Sequence, residues 1–179
     1  MELKPTRYLA KTFGDERGWL KKLEPSGDSG LKLDPLKFDD FYLSLSRRHV
    51  FRGFHMQAFP CQQTKLIRVV SGSIFSYMLN LDPASPSYQA LSQFTLAADE
   101  NAALVCPPLH GNGFLALDDD TTIAVLTAGS FVPSSEVVIS PRHVPGLQLP
   151  ADCILSTKDE NGLRLSDYLQ SSIAPSSEA

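Results

Sequence analysis

The sequence predicts an all-β jelly-roll barrel, and three observations predict it. From Phe41 to Val138, short β-favouring runs recur at close spacing between clusters of Gly, Pro, Asp and Ser. Amphipathic helical periodicity is nearly absent over the same stretch. A chain of 179 residues can fill one core but is too short for two ordinary domains.

In chain order, strands are expected at about 41–46, 65–71, 73–81, 91–97, 102–105, 113–117, 121–128 and 135–140. Residues 24–37, EPSGDSGLKLDPLK, are turn-rich and read as a loop or one short helical turn. The runs KLIRVV and SIFSYMLNL flank Ser71-Gly72 and read as a hairpin, with Gly72 supplying the positive φ of a tight turn. Alternation puts Lys65, Ile67 and Val69 on one face of the first run; if that face lines the barrel, Lys65 is an inward-pointing amine. NGLRLSDYLQ, at 161–170, is the best helix candidate, through Leu163, Leu165 and Leu169. One domain is therefore expected over 1–170, a barrel with a short C-terminal helix, and a frayed polar tail over 171–179. Tyr8, Phe13 and Trp19 are expected to pack an N-terminal arm against a partner subunit, with nucleobase stacking as the sharper alternative.

Composition narrows the function classes. Hydrophobic residues at 42% and charged residues at 20% describe a folded globular chain. A net charge of −4 without a long basic run gives nucleic acid no footprint, although one or two Arg forks suffice for a small diphosphate. No run approaches the roughly 20 apolar residues that a bilayer needs, and the start carries no leader pattern. Cys61, Cys106 and Cys153 are odd in number and outside any CxxC pair, which argues against a disulfide framework and fits a reducing cytoplasm.

The candidate chemistry centres on RGFHMQ, 52–57. In a strand, His55 and Gln57 share one face, and Arg52 points the other way unless a bulge at Gly53 realigns it. A lone His in a barrel strand is more often a hydrogen-bonded structural residue than a site residue. Company changes that reading: Lys65 follows across a turn containing Pro60, and the string LSTKD supplies Asp159. Removing a proton beside a carbonyl needs a base poised near neutral pH and a cation facing the developing enolate. A His–Asp pair plus a Lys supplies both.

Other residues receive plainer readings. Metal-binding barrels carry an HxH pair with a later Glu and His. Here Met56 and Gln57 follow His55, so no metal and no other cofactor is expected. His110, in a Pro/Gly turn, is expected in an exposed loop, His49 and His143 as structural or surface residues, and Cys61 as a small buried hydrophobe. The chain contains no GxSxG elbow, P-loop or GxGxxG.

At this point several strings taken together resemble the dTDP-4-dehydrorhamnose 3,5-epimerase family of cupin-type barrels. The family's RGxHxQ, QxKLxRVxxGxxF, DLxxxSPxF, PxxxxxGF, PxSE and LSxKD are echoed by RGFHMQ, QTKLIRVVSGSIF, NLDPASPSY, PPLHGNGF, PSSE and LSTKD, in register without gaps from about Ser44 to Glu136. The resemblance implies a cofactor-independent enzyme acting on a dTDP-4-keto-6-deoxyhexose through an enolate, as a homodimer. It implies that His55 is the general base for the C3 or C5 proton, Asp159 its partner and Lys65 the cation on the enolate oxygen. Arg52, Gln57, Ser44 and Asn112 would contact the sugar nucleotide. Arg17, in the string DERG, looks like the diphosphate-binding Arg that the family donates across a dimer interface.

The chain also departs from the family pattern. The family's acid Tyr, in the string FLYK, falls in register on Val125, a second pocket Tyr on Phe131, a His before GF on Asn112, and an Asp on Ser76. A Val has no proton to give. Water could deliver the proton, Tyr77 or Tyr42 could substitute, or the chain could run only the enolisation half of the reaction. The remaining alternative is a barrel that keeps diphosphate-sugar binding through Arg17, Arg52 and Gln57 without turnover.

Overall fold

The computed structural model describes residues 4–21, 38–171 and 173–175. The turn-rich region 24–37 lies outside the described residues. Among them, β1 (Thr6–Leu9), β2 (Thr12–Asp15) and β3 (Gly18–Lys21) precede β4 (Asp40–Ser46), β5 (Phe51–Gln57), β6 (Thr64–Ser71) and β7 (Ser73–Asn80). Then come β8 (Leu91–Ala97), β9 (Ala102–Cys106), β10 (His110–Ala116), β11 (Thr121–Ala128) and β12 (Glu136–Val138), with two short helices, α1 (Thr157–Glu160) and α2 (Leu165–Leu169), closing the chain. Two antiparallel sheets result, ordered β1-β9-β6-β11-β4 and β12-β5-β10-β7-β8, beside a separate β2-β3 hairpin. This is the all-β, cupin-type jelly roll that the sequence predicts.

The expected hairpin at Ser71-Gly72 is not one. β6 pairs with β9 and β11, whereas β7 pairs with β8 and β10. Only Gly72 separates the two strands, fewer than the two residues of a tight hairpin loop. Its positive φ of 73° instead turns the chain from one sheet into the other. Nothing larger fits, because a Cβ there would lie 2.5 Å from Thr121 Oγ1.

Other elements differ in extent. β1, β2 and β3 escape the sequence reading because four residues carry too little alternation, and β1 is held by its pairing with β9, far along the chain. β10 begins at His110 rather than 113, since the glycines that mimic a turn are close-packing positions. A Cβ on Gly113 would meet the Phe51 ring at 2.7 Å. His110 is accordingly buried, not exposed in a loop, and its Nδ1 lies 2.9 Å from the carbonyl of Pro108. The helix expected over 161–170 contracts to α2, whose buried Leu165 and Tyr168 face the core. Of the stretch 171–179, Ser171 and 173–175 are described, and Ala174 packs against the core. Tyr8 is buried against the outer side of the first sheet, while Phe13 and Trp19 stand exposed on the β2-β3 hairpin.

Packing explains the apolar strings. Ile67, Val69, Leu104, Ile123 and Val125 from the first sheet meet Ile74, Met78, Leu96 and Phe114 from the second, forming the layer between them. The second sheet is covered on its outer side too, where Phe51, Phe54, Met56 and Tyr77 meet Val137, Ile139, Leu165 and Tyr168. β7 sends Ile74 and Met78 into the inter-sheet layer and Tyr77 and Leu79 into the outer core, whereas β5 sends Phe51, Phe54 and Met56 into the outer core and turns Arg52, His55 and Gln57 toward the cavity. The site occupies one end of this inter-sheet space.

Candidate active site

The catalytic candidates are aimed by an irregularity in β5. Asn112 of β10 sits opposite His55, yet Phe114, two residues on, sits opposite Arg52, three residues back. One extra residue is therefore bulged out of β5 between them. Gly53 carries a φ of 129°, and a Cβ there would overlap the Cα of Gly113 and lie 2.7 Å from the Asn112 carbonyl. Only glycine fits. The bulge settles which way Arg52 points: Arg52 and His55 both line a cavity of about 410 Å³ with Ser44, Lys65, Asn112, Val125 and Asp159. A contiguous recess of about 200 Å³ adds Asp40, Gln57, Gln63 and Phe131.

His55 and Asp159 form a dyad. The imidazole Nε2 lies 2.6 Å from Asp159 Oδ1, which leaves Nδ1 to exchange a proton with a substrate. Asp159 is only 3% exposed. Burial alone would raise its pKa, but the hydrogen bond and charge of His55, the Ser156 hydroxyl and the Gly53 amide together hold it below the ordinary carboxylate range. Ser156 caps α1: its hydroxyl accepts from the Asp159 amide at 3.1 Å and donates to Oδ2 at 2.8 Å. An ionised carboxylate so fixed can orient the imidazole and stabilise its protonated form.

Lys65 enters from the other sheet, on the face it shares with Ile67 and Val69, which is the inward one. Its ammonium donates to Asn112 Oδ1 at 2.7 Å and approaches the His55 carbonyl at 3.4 Å. Burial lowers its pKa, with Cys106 and Glu136 opposing. A buried ammonium this close to the dyad is placed to meet an anion.

The other predicted residues divide. Arg52 lies at the cavity rim, donating through Nε to Ser46 Oγ and through Nη2 to the Leu45 carbonyl, both at 3.0 Å. Gln57 Oε1 accepts from the Val132 amide at 2.9 Å, so its NH₂ is the end left for a ligand. Ser44 lines the same cavity from β4. Arg17 is not brought to His55 within one chain; it pairs with Asp15 on the exposed β2-β3 hairpin. Cys61 is half-buried rather than buried, and does not line the cavity. His49 finds a partner 103 residues on, with Nδ1 2.7 Å from Asp152.

The first sheet shows what surrounds the substituted position. Val125 is buried in β11, directly opposite Tyr42 of β4 on one side and Ile67 of β6 on the other. Ser76 faces the inter-sheet layer, and Tyr77 the outer core. Ser156 and Asp40 are among the contributors not read from the sequence. Ser156 was signalled by the Ser-x-x-Asp spacing of a helix cap, and Asp40 by its period-two spacing with Tyr42 and Ser44. Among the described residues no cluster of three His, Cys, Asp or Glu could hold a metal ion, and no helix is long and apolar enough to cross a membrane.

The chain is similar in sequence and fold to known proteins. A family model described as dTDP-4-dehydrorhamnose 3,5-epimerase matches residues 6–167. The chain is 28% identical over 134 residues to the dTDP-4-dehydrorhamnose 3,5-epimerase of Mycolicibacterium smegmatis, covering 74% of this chain and 66% of that protein. It is also 28% identical over 164 residues to the enzyme of that name from Escherichia coli K12, covering 89% of each. Among solved structures it is similar to a 4-keto-6-deoxy sugar epimerase from the novobiocin cluster of Streptomyces spheroides, with 25% identity, a TM-score of 0.87, and 97% of this chain and 89% of that one covered.

Proposed function

The chain belongs to the dTDP-4-dehydrorhamnose 3,5-epimerase family, and on that premise we propose that it epimerises a dTDP-4-keto-6-deoxyhexose through an enolate, at C3, C5 or both. The observation that carries this reading is the His55–Asp159 pair, 2.6 Å apart, with the Lys65 ammonium in the same cavity. His55 Nδ1 lifts the proton beside the 4-ketone. The freed electron pair moves toward the ketone oxygen, and Lys65 meets the negative charge that forms there. Asp159 holds the imidazolium until the proton is returned or lost. Arg52, Gln57, Ser44 and Asn112 hold the sugar and its diphosphate at the rim.

The reading includes a homodimer in which Arg17 reaches the diphosphate from a second copy. Two observations support it. Arg17 stands on an exposed hairpin away from His55 of its own chain. The edge strand β4 also turns Phe41, Leu43 and Leu45 outward, each more than half exposed. A monomer by sedimentation at assay concentration would remove this part.

The main test is solvent exchange. Incubated in D₂O with dTDP-4-keto-6-deoxyglucose, the protein should wash deuterium into C3, C5 or both, with inversion at the exchanged carbon. Exchange at neither carbon would leave binding without turnover and sink the epimerase reading for this substrate.

A further inference from the structure

Inversion requires a proton donor on the face of the enolate opposite the base, and at Val125 the wall facing His55 carries only an aliphatic side chain. That wall is not without a hydroxyl. Tyr42 lies on β4 directly opposite Val125 in the antiparallel register, and Ser44 opposite Ile123, so Tyr42 projects from the same face as Val125. Directly opposed side chains start about 5 Å apart at Cβ, within the reach of a phenol ring. Tyr42 accordingly lines both parts of the cavity, in company with His55 and Lys65.

We propose that Tyr42 is the proton donor of the second half-reaction, standing one strand away from the position that Val125 fills. This rests on the epimerase reading above. His55 belongs to the second sheet and Tyr42 to the first. Facing sheets pack about 10 Å apart, which leaves room for one sugar ring between groups rising from the two walls. The base and the acid therefore address opposite faces of that ring.

The steps balance without a further reagent. His55 Nδ1 takes the proton from the carbon beside the ketone, and the electron pair forms the C=C bond of the enolate while the oxygen's charge rests on Lys65. The enolate carbon then takes the phenolic proton of Tyr42 on its other face, and the C=O bond is restored. Tyr42 regains a proton from water, and the His55 imidazolium releases one.

The phenol carries the proton that a donor must have. Although the side chain is 42% exposed overall, burial at the cavity wall pushes its pKa up, and Asp40, two residues away on the same face, pushes in the same direction. Tyr42 keeps its proton at neutral pH until a carbanion takes it. Tyr77, the other candidate, is 4% exposed and packs in the outer core against Phe51, with ring centroids 6.0 Å apart. It does not line the cavity.

Tyr42→Phe tests the assignment with little risk to the fold. The variant should still wash deuterium from D₂O into the substrate with retention, at a rate within a few-fold of the parent. Inversion should fall by about 10² to 10⁴, the usual worth of a general acid. Adding Val125→Tyr to Tyr42→Phe should restore inversion. Inversion undiminished in Tyr42→Phe would overturn Tyr42 alone and leave the epimerase reading standing. Wild-type exchange without inversion would likewise overturn it. No exchange in the wild type would fail the epimerase reading itself, and the assignment with it.

Discussion

The two walls of the cavity are built in different ways. On the second sheet, His55 is fixed by a chain of dependencies: a bulge that only Gly53 permits, a carboxylate 2.6 Å away, a serine cap behind that carboxylate, and an outer core that holds Phe51, Phe54 and Met56 of the same strand. On the first sheet, β4 and β11 present Tyr42, Val125, Asp40 and Ser44 from an edge strand and its neighbour. On the proposed mechanism, the difference bears on which half of an inversion can drift. A base that needs a partner, a tautomer and an orientation is an assembly, and one substitution damages it. An acid needs one hydroxyl on the correct face, and adjacent strands offer several positions for it.

The comparison breaks most completely if the dyad can be dispensed with. His55→Asn should cut deuterium exchange by about 10⁴, the upper end of what a general base is worth and the largest effect anywhere in the site. Residual exchange within tenfold of the parent would place the base elsewhere and void the distinction between the walls.

Lys65 is the next test, because it rises from the first sheet yet is held by Asn112 and His55 of the second. Lys65→Met should slow exchange by about 10² to 10³, the usual cost of removing one donor from a developing oxyanion. The sign of its pH dependence follows from burial. Its pKa is lowered, so the charge that steadies the enolate is lost on the alkaline side earlier than for an ordinary lysine, whereas Tyr42, with a raised pKa, is still protonated there. The rate should therefore fall below the usual lysine range as pH rises. Lys65→Arg, which cannot deprotonate in this range, should move that limb upward even if it lowers the maximum. An unchanged limb in Lys65→Arg would assign the titration to another group.

Legibility followed the same division. Period-two alternation grouped Lys65 with Ile67 and Val69 on one face, which packing then showed to be the inward one, and RGFHMQ and LSTKD supplied the dyad. A jelly roll followed from the spacing of short runs. The Ser71-Gly72 turn was misread because local chemistry reports a reversal of direction but not the sheet that receives the next strand, which non-local pairing decides. Arg52 could not be oriented from sequence because a bulge changes parity, and whether Gly53 bulges depends on Gly113 across the ladder. Tyr42 and Val125 are 83 residues apart, and only the β4-β11 register makes them neighbours. β4 also inverts the expected pattern, with polar residues toward the cavity and Phe41, Leu43 and Leu45 outward, so apolar alternation alone assigns its faces the wrong way round.

The smallest effect is expected behind the dyad, at Ser156. Its hydroxyl does two jobs: it accepts from the Asp159 amide at the start of α1, and it donates to the carboxylate oxygen that His55 does not use. Ser156→Ala removes both. The cap is worth about 1 kcal/mol of stability. The carboxylate loses one of the interactions that keep its pKa low, so its folded value rises toward the ordinary range. A group whose pKa is depressed by folding contributes stability that is present above its unfolded pKa and is lost as pH falls through the folded value. Ser156→Ala should therefore lose stability at neutral pH and show a shallower further loss on acidification, with exchange slowed less than tenfold because His55 still meets Oδ1. Thermal melts across the acid range, read beside the exchange rate, check both statements. A parallel drop at every pH would make Ser156 a helix cap alone, whereas a rate loss as large as that of His55→Asn would show that the dyad tolerates no slack and that the wall carrying it is even more rigid than its hydrogen bonds require.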